Sequence, residues 1–405
     1  MPINSIQMQT LAVRYDPNQA ERGSDDEFRA LIRGFLAEHH PGKAPHDHAQ
    51  RLEWQKRWLA TLFDAGFAGP NWPREFGGMG LSFGRQLIYQ EEYARAKVPG
   101  PLGNGVGIAA PTIMRHGTTE QQQRFLAPML RGDRVWCQGF SEPEAGSDLP
   151  ALRTTAHRDG DHYVVNGQKV WTSHVDQSDT VYALVRTGEP GTRQRGISYL
   201  IIDLDTPGVI TRPMRDLAGG NAFGEVFFDD ARVPVANRLG EENEGWKIAR
   251  TSLGNERAAS ALKSAAMYRR IFDELRTLAQ ERGAASDPAI RDGLIDLEIR
   301  LRIMQYSAER TVTSIMATGE PGPTASGVRL RVAQFEQDIH EFALDMLGAD
   351  GLVTKSSPDA VQRGRWLIGF LRTRASTIGT GTTEIQKNTL AEQVLGLPRD
   401  PAMPS

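Results

Sequence analysis

The spacing of hydrophobic and polar positions changes period twice along the chain. From about residue 24 to 136 it is helical: Phe28, Leu31, Ile32 and Phe35 recur on one face, and Ser24 followed by Glu27 makes a capping box ahead of them. Further helices are predicted over 50–65, 82–96, 104–115 and 118–132. Gly69-Pro70-Asn71-Trp72-Pro73 and Gly77-Gly78-Met79-Gly80 separate them, because neither stretch can continue a helix. From about 135 to 239 the period becomes two. Tyr163-Val164-Val165 and Gln168-Lys169-Val170-Trp171 flank Asn166-Gly167, a dipeptide suited to a two-residue hairpin, and strands are predicted at 181–186, 197–203, 209–212 and 225–228. No helices are available for parallel crossovers, so the expectation is a compact antiparallel β-domain, a barrel or a sandwich. From about 245 to 396 long amphipathic helices return at 246–280, 288–317, 324–347 and 384–395. Short breakers such as Gly319-Glu320-Pro321-Gly322-Pro323 join them, which predicts a helical bundle. The predicted fold class is therefore α+β: an extension (1–24), an N-terminal helical domain (25–134), a middle β-domain (135–240) and a C-terminal bundle (241–405).

Composition narrows the function classes. A chain of 405 residues can bury large cores in two or three domains. A formal charge of −3 without a long Lys/Arg run argues against a nucleic-acid or membrane-surface binder. The single cysteine, Cys137, excludes an intrachain disulfide framework and fits a reducing compartment. There is no run of roughly 20 apolar residues, and the polar first 24 residues contain no signal-peptide core. Asp16, Glu21, Asp25, Asp26 and Glu27 speak against a transit peptide, so a cytoplasmic location is expected. His39-His40 and His46-x-His48 sit in a polar linker without the convergence a metal needs.

Two segments carry candidate chemistry. Gln138-Gly139-Phe140-Ser141-Glu142-Pro143-Glu144-Ala145-Gly146-Ser147-Asp148-Leu149 threads glycine and hydroxyl residues through a loop that can offer N–H and O–H donors to a polar heteroaromatic edge. Val170-Trp171-Thr172-Ser173 places a flat indole beside two hydroxyls at a strand end. An isoalloxazine needs both surfaces: donors for its carbonyls and N5, and an apolar wall for its rings. Taken singly, each could be an ordinary turn or an ordinary tryptophan. Together, in this order, they resemble the flavin-binding middle domain of the acyl-CoA dehydrogenase family. Glu225-Val226-Phe227-Phe228-Asp229-Asp230-Ala231-Arg232-Val233-Pro234 and Gly379-Thr380-Gly381-Thr382-Thr383-Glu384-Ile385-Gln386 extend the resemblance over about residues 25–397.

The resemblance implies the same three-domain order and α,β-dehydrogenation of an acyl-CoA thioester by FAD. By position, Gln138, Phe140, Ser141, Gly146, Ser147, Trp171, Thr172 and Ser173 would line the FAD. Thr382 and Glu384 would approach its diphosphate and ribityl region. Ser147, Arg257, Thr380 and Gly381 would meet the substrate, and an electron-transferring flavoprotein would take the electrons. An α-proton beside a thioester is too weakly acidic for a carboxylate in water. The site must therefore stabilise enolate-like charge in a dry pocket and employ a desolvated base. Many members carry that base immediately before the Gly-Thr ahead of the flavin-contact helix, and this chain has Thr380 there. Long-chain and isovaleryl members carry it on the first bundle helix before an Arg, where this chain reads Gly254-Asn255-Glu256-Arg257.

Helical geometry bears on the same residue. At about 100° per residue, Glu256 projects near Ser260, Met267 and Leu278 and close to Leu253 and Ile271, an apolar stripe on which a carboxylate is costly unless paired or functional. By that pattern alone it could be a helix glutamate satisfied by Arg257 or another cation. The family's Arg-x-x-Phe-Gly motif is missing after this helix, where Arg282-Gly283-Ala284-Ala285 stands, and Met346–Gly351 only partly matches the usual Gly-Gly-x-Gly turn. FAD binding across a subunit interface is thus altered or supplied by another chain. Three readings remain: a dehydrogenase acting as a homodimer, homotetramer or heteromer; an acyl-CoA oxidase or nitroalkane-oxidase-like enzyme; and a catalytically silent subunit of a heteromer. The base on the bundle helix hints at a bulky acyl group.

Overall fold

A computed structural model of the protein describes Asp16 and residues 23–318 and 322–398, apart from the side chains at 83, 255, 257–266, 312 and 315–318. Most of the expected N-terminal extension, the 319–321 part of the expected breaker and the Arg257 side chain lie outside the described residues. The chain divides into two compact units. One comprises Met1–Phe140, Thr154–Thr211 and Val226–Gly245; the other comprises Ser141–Arg153, Arg212–Glu225 and Trp246–Ser405.

In the first unit, α1 (Asp25–Glu38) starts on the expected capping box. Ser24 Oγ accepts from the Glu27 N–H at 3.2 Å and the Glu27 carboxylate accepts from the Ser24 N–H at 2.6 Å. Its face of Phe28, Ile32, Phe35 and Leu36 is buried. Helices α2 (His48–Asp64), α3 (Phe83–Ala96), α4 (Ala110–His116) and α5 (Thr119–Arg131) follow, and α4 is preceded by a short π-turn over Gly105–Ala109. Glu92 of α3 is buried between Arg29 and Arg33 of α1 at 2.8 and 2.9 Å, and these guanidiniums hold its carboxyl down to about 2.

The β-domain contains β1 (Trp136–Gly139), β2 (Thr155–Asp159), β3 (His162–Ser173), β4 (Thr180–Arg186), β5 (Ile197–Asp203), β6 (Val209–Met214), β7 (Phe223–Pro234) and β8 (Arg238–Leu239). They form an eight-stranded sheet ordered β6-β7-β3-β2-β4-β5-β8, with β1 on β4. Two expectations need correction. The sheet is mixed: β2–β3, β4–β5 and β5–β8 are antiparallel, whereas β1 runs parallel to β4 with Gln138 opposite Tyr182. The β2–β3 hairpin supplies the reversals that let β4 return in the direction of β1 without a crossover helix.

The hairpin turn is also displaced. It lies at Gly160-Asp161, with glycine at φ +62° in the first turn position, and Asn166-Gly167 sits inside β3. Asn166 is held there by Asp230, donating to its carboxylate at 2.8 Å and accepting from its N–H at 2.9 Å. Gly167 is required because an added Cβ would lie 2.6 Å from the Thr154 backbone. The core of the domain comprises Cys137, Tyr163, Val165, Val181, Val185, Leu200 and Ile202, and burial pushes the Cys137 thiol up to about 12.

In the second unit, α6 (Gly245–Glu281), α7 (Pro288–Thr318) and α8 (Ala325–Leu347) are the long helices, followed by α9 (Arg365–Thr373) and α10 (Thr383–Gln393). Tyr268, Phe272, Leu275 and Leu278 of α6, Leu297, Leu301 and Met304 of α7, Val332, Phe335 and Ile339 of α8 and Trp366 of α9 make one core. Each such side chain contributes about 1.5–3 kcal/mol by burial. Helix α9 is short and was not among the predicted elements, although Trp366 and Phe370 stand four apart in it. No described helix is long and apolar enough to cross a membrane.

Candidate functional site

The first unit brings two of the predicted segments together. Gln138 is on β1, and its Oε1 accepts from the Tyr182 hydroxyl at 3.0 Å. Phe140 follows directly, buried edge-on against Tyr182 and Tyr199 at 5.8 and 5.9 Å. Its carbonyl accepts from Lys169 Nζ at 3.2 Å, and Lys169 lies on β3 two residues before Trp171. A wholly buried ammonium is therefore a bolt between the end of β1 and the strand that carries the Trp-Thr-Ser segment. Sequence reasoning gave Lys169 no role. The available signal was a lysine at the same strand parity as the inward Tyr163 and Val165.

Beyond Lys169 the pleat reverses. Trp171 takes φ +60°, a conformation unfavourable for a bulky side chain. The flip turns the indole outward, 60% exposed, and drives Thr172 wholly inside. Thr172 Oγ1 is buried and makes no hydrogen bond in this structure. Ser173 is half-buried at the strand end. A strained residue displaying an aromatic face, next to a buried hydroxyl in want of an acceptor, suits a flat heteroaromatic ligand bearing carbonyls.

The division into units falls within the glycine- and serine-containing loop, between Phe140 and Ser141. On the second unit's side, Glu142 and Ala145 exchange backbone hydrogen bonds at 3.1 Å, and the Glu142 carboxylate accepts from the Arg153 N–H at 2.6 Å. Gly146 and Ser147 are exposed on this turn and Ser141 is half-buried. A Cβ added at Gly146 would meet nothing within 4 Å, so packing does not demand glycine there.

The remaining predicted residues are on the bundle. Glu256 is half-buried on α6, one turn after the wholly buried Ser252. Of its expected stripe, Ile271 and Leu278 are in the core and Met267 packs against it, while the side chain of Ser260 is outside the described residues. Across 124 positions of sequence, Thr380 Oγ1 donates to Glu256 Oε1 at 3.2 Å. Thr380 itself takes φ +59°, an outlier for a β-branched residue. Buried Gln386 secures the loop from beneath, donating from Nε2 to the Thr380 carbonyl at 3.0 Å. Gly381, at φ +87°, is needed because a Cβ would lie 2.4 Å from that amide. Thr382 caps α10 by accepting from the Ile385 N–H at 3.3 Å, and Glu384 is exposed in the first turn, where a carboxylate favours the helix end. Arg282, which stands where the family's arginine motif is missing, is paired to Asp350 at 2.8 Å.

Comparison with known proteins decides the family. Models described as the N-terminal, middle and C-terminal domains of acyl-CoA dehydrogenase match residues 23–133, 137–231 and 243–395. The chain belongs to the acyl-CoA dehydrogenase family. It is 39% identical over 384 residues to the acyl-CoA dehydrogenase IpdE1 of Mycobacterium tuberculosis, covering 93% of this chain and 98% of that protein. The ChsE4-ChsE5 complex from Mycobacterium tuberculosis has a chain with a TM-score of 0.77 and 32% identity, covering 96% of this chain and all of its own. A solved structure described as "Tcur3481-Tcur3483 steroid ACAD" gives a TM-score of 0.79 at 29% identity, covering 96% of this chain and 100% of that one. The chain is thus a family oxidoreductase whose fold order matches the three domain models.

Proposed function

We propose that this protein is an FAD-dependent dehydrogenase that introduces an α,β double bond into a bulky, ring-bearing acyl-CoA, with Glu256 as the base. The observation that carries the proposal is the 3.2 Å hydrogen bond from Thr380 to Glu256, which joins the two sequence positions at which the family places its base. FAD, when bound, would supply the acceptor for the β-hydrogen.

The chain's own residues perform the rest. Glu256 takes the α-proton onto its carboxylate, and the Thr380 hydroxyl fixes the rotamer from which it does so. Gln386 and the Thr382 cap hold the loop that carries Thr380. Trp171, Thr172, Ser173, Gln138, Phe140, Ser141, Gly146 and Ser147, with Thr382 and Glu384, are assigned to FAD. Arg257, Gly381 and Ser147 are assigned to the thioester and CoA. The ring-bearing substrate is supported by the similarity to the structure described as a steroid enzyme. An electron-transferring flavoprotein is the proposed acceptor, and the cytoplasm the proposed location.

Anaerobic titration of the flavinated protein with straight-chain, branched and ring-bearing acyl-CoA esters tests this reading. Bleaching of the flavin by ring-bearing esters in preference to straight-chain ones is expected. No bleaching by any ester would overturn it.

A second reading follows from the two similar solved structures, each described by two chain names: this chain would work beside a homologous sister subunit. Flavin content and turnover that appear only on co-expression with a neighbouring homologue would establish that form.

A further inference from the structure

Two planar peptide units meet at the Thr380 Cα, and their orientations fix the backbone angles of that residue. One unit carries the Thr380 carbonyl, which Gln386 of α10 holds at 3.0 Å. The other carries the Gly379 carbonyl, and a different element holds it. Arg329, half-buried on α8, donates from Nη2 to the Gly379 carbonyl at 3.0 Å across 50 positions of sequence. The same nitrogen donates to the Ser376 carbonyl, one turn earlier. Around these anchors the chain closes on itself, since the Ile378 and Gly379 N–H groups both donate to the Ala375 carbonyl, at 3.0 and 2.9 Å.

A β-branched residue avoids φ +59° when left to itself, so the angle at Thr380 is imposed by the grips on either side. Gln337, about two turns further along α8, secures the approach by donating to the Thr373 carbonyl at 3.0 Å and the Thr377 hydroxyl at 3.3 Å. Arg329 holds its place at a cost, because its Nε is buried and finds no acceptor among the described residues.

We infer that Arg329 is a positioning residue for the reaction: by fixing the Gly379 peptide it sets the angle from which the Thr380 hydroxyl meets Glu256. The inference rests on the reading of Glu256 as the base, and adds that Arg329 acts on that base through Thr380 and not by its charge. A guanidinium acting by charge alone would favour the ionised carboxylate whether or not residue 380 had a hydroxyl.

A double-mutant cycle on the flavinated protein separates the two. Releasing the Thr380 hydroxyl moves the acidic limb of flavin reduction by substrate to higher pH, because that donor favours the ionised carboxylate. Arg329→Met should give this shift, with a several-fold loss of rate below neutrality. Arg329→Lys, which keeps the charge and can hold one carbonyl, should give a smaller one. In a Thr380→Val background neither substitution should shift the limb further. Hydrogen exchange over residues 376–381 should quicken roughly 10-fold in Arg329→Met and stay unchanged in Glu256→Gln. If Arg329→Met does not fold, Arg329→Lys carries the same cycle and exchange measurement. Three results would overturn the inference: a wild-type pH profile in the Arg329 variants, an undiminished shift in the Thr380→Val background, or unchanged exchange in the loop. Wild-type flavin reduction by Glu256→Gln would overturn the base reading, and this inference with it, even where the exchange is faster.

Discussion

The strand carrying Trp171 and the loop carrying Thr380 share an unusual feature and resolve it in opposite ways. Each holds a non-glycine residue near φ +60°, in a region that costs of order 1–3 kcal/mol. In the bundle loop the surroundings consume every consequence: the Thr380 hydroxyl reaches Glu256, its carbonyl reaches Gln386 and the next residue but one caps a helix. In the β-strand the same twist leaves an indole 60% exposed and a hydroxyl buried without a partner. The loop is built to position a group of the protein. The strand, in the proposed reading, receives a group from outside it.

The largest test of that contrast is Glu256→Gln. It preserves shape and hydrogen bonding to Thr380, and flavin reduction by substrate should fall roughly 10²- to 10⁴-fold while FAD content and CoA-ester binding stay close to wild type. Loss of folding in place of turnover would make Glu256 a structural residue. Next comes Thr172→Val. Removing a buried hydroxyl that has no partner should leave the apo-protein equally or slightly more stable, yet weaken FAD by roughly 10-fold if that hydroxyl serves the flavin. Thermal melts of the apo form and an FAD titration separate the two effects, and unchanged affinity would detach Thr172 from the cofactor.

Thr380→Val is expected to act more gently. It keeps the branched shape at φ +59° and removes the donor that favours the ionised carboxylate. The acidic limb of the pH profile of flavin reduction should therefore move to higher pH, with a several-fold loss of rate below neutrality. A uniform loss at all pH values would indicate displaced backbone instead. The smallest effect concerns strain itself. Asparagine tolerates the left-handed region better than either residue, so Trp171→Asn should stabilise the apo-protein by about 0.5 kcal/mol. Thr380→Asn should not, because it sacrifices the bond to Glu256. Equal shifts in the two melts would erase the distinction.

Much of this was legible in the sequence wherever structure is local. The Ser24–Glu27 box and the long bundle helices follow from residues a few positions apart. The hairpin was misplaced because Asn166-Gly167 and Gly160-Asp161 both carry turn chemistry, and a contact 64 residues away, from Asn166 to Asp230, decides between them. The reversal at Trp171 was hidden for a related reason. Alternation puts residue 171 on the side of Tyr163 and Val165, and only a φ value imposed by the folded domain moves it to the other. Helix α9 escaped because nine residues give only about two and a half turns of pattern. Glu256 stood out as a carboxylate on an apolar stripe, but its contact with Thr380 belongs to tertiary structure and has no local signature.

The sealed position of Cys137 makes the protein a convenient object for spectroscopy. It is the only cysteine in the chain, fully enclosed by the β-domain, with its thiol held far from the reactive thiolate form. A cysteine introduced on the surface would be the sole site to take a fluorophore or spin label under mild conditions, with no native residue to remove first. One dye in the turn at Gly160-Asp161 would then report how the surroundings of that hairpin change when a ligand is added.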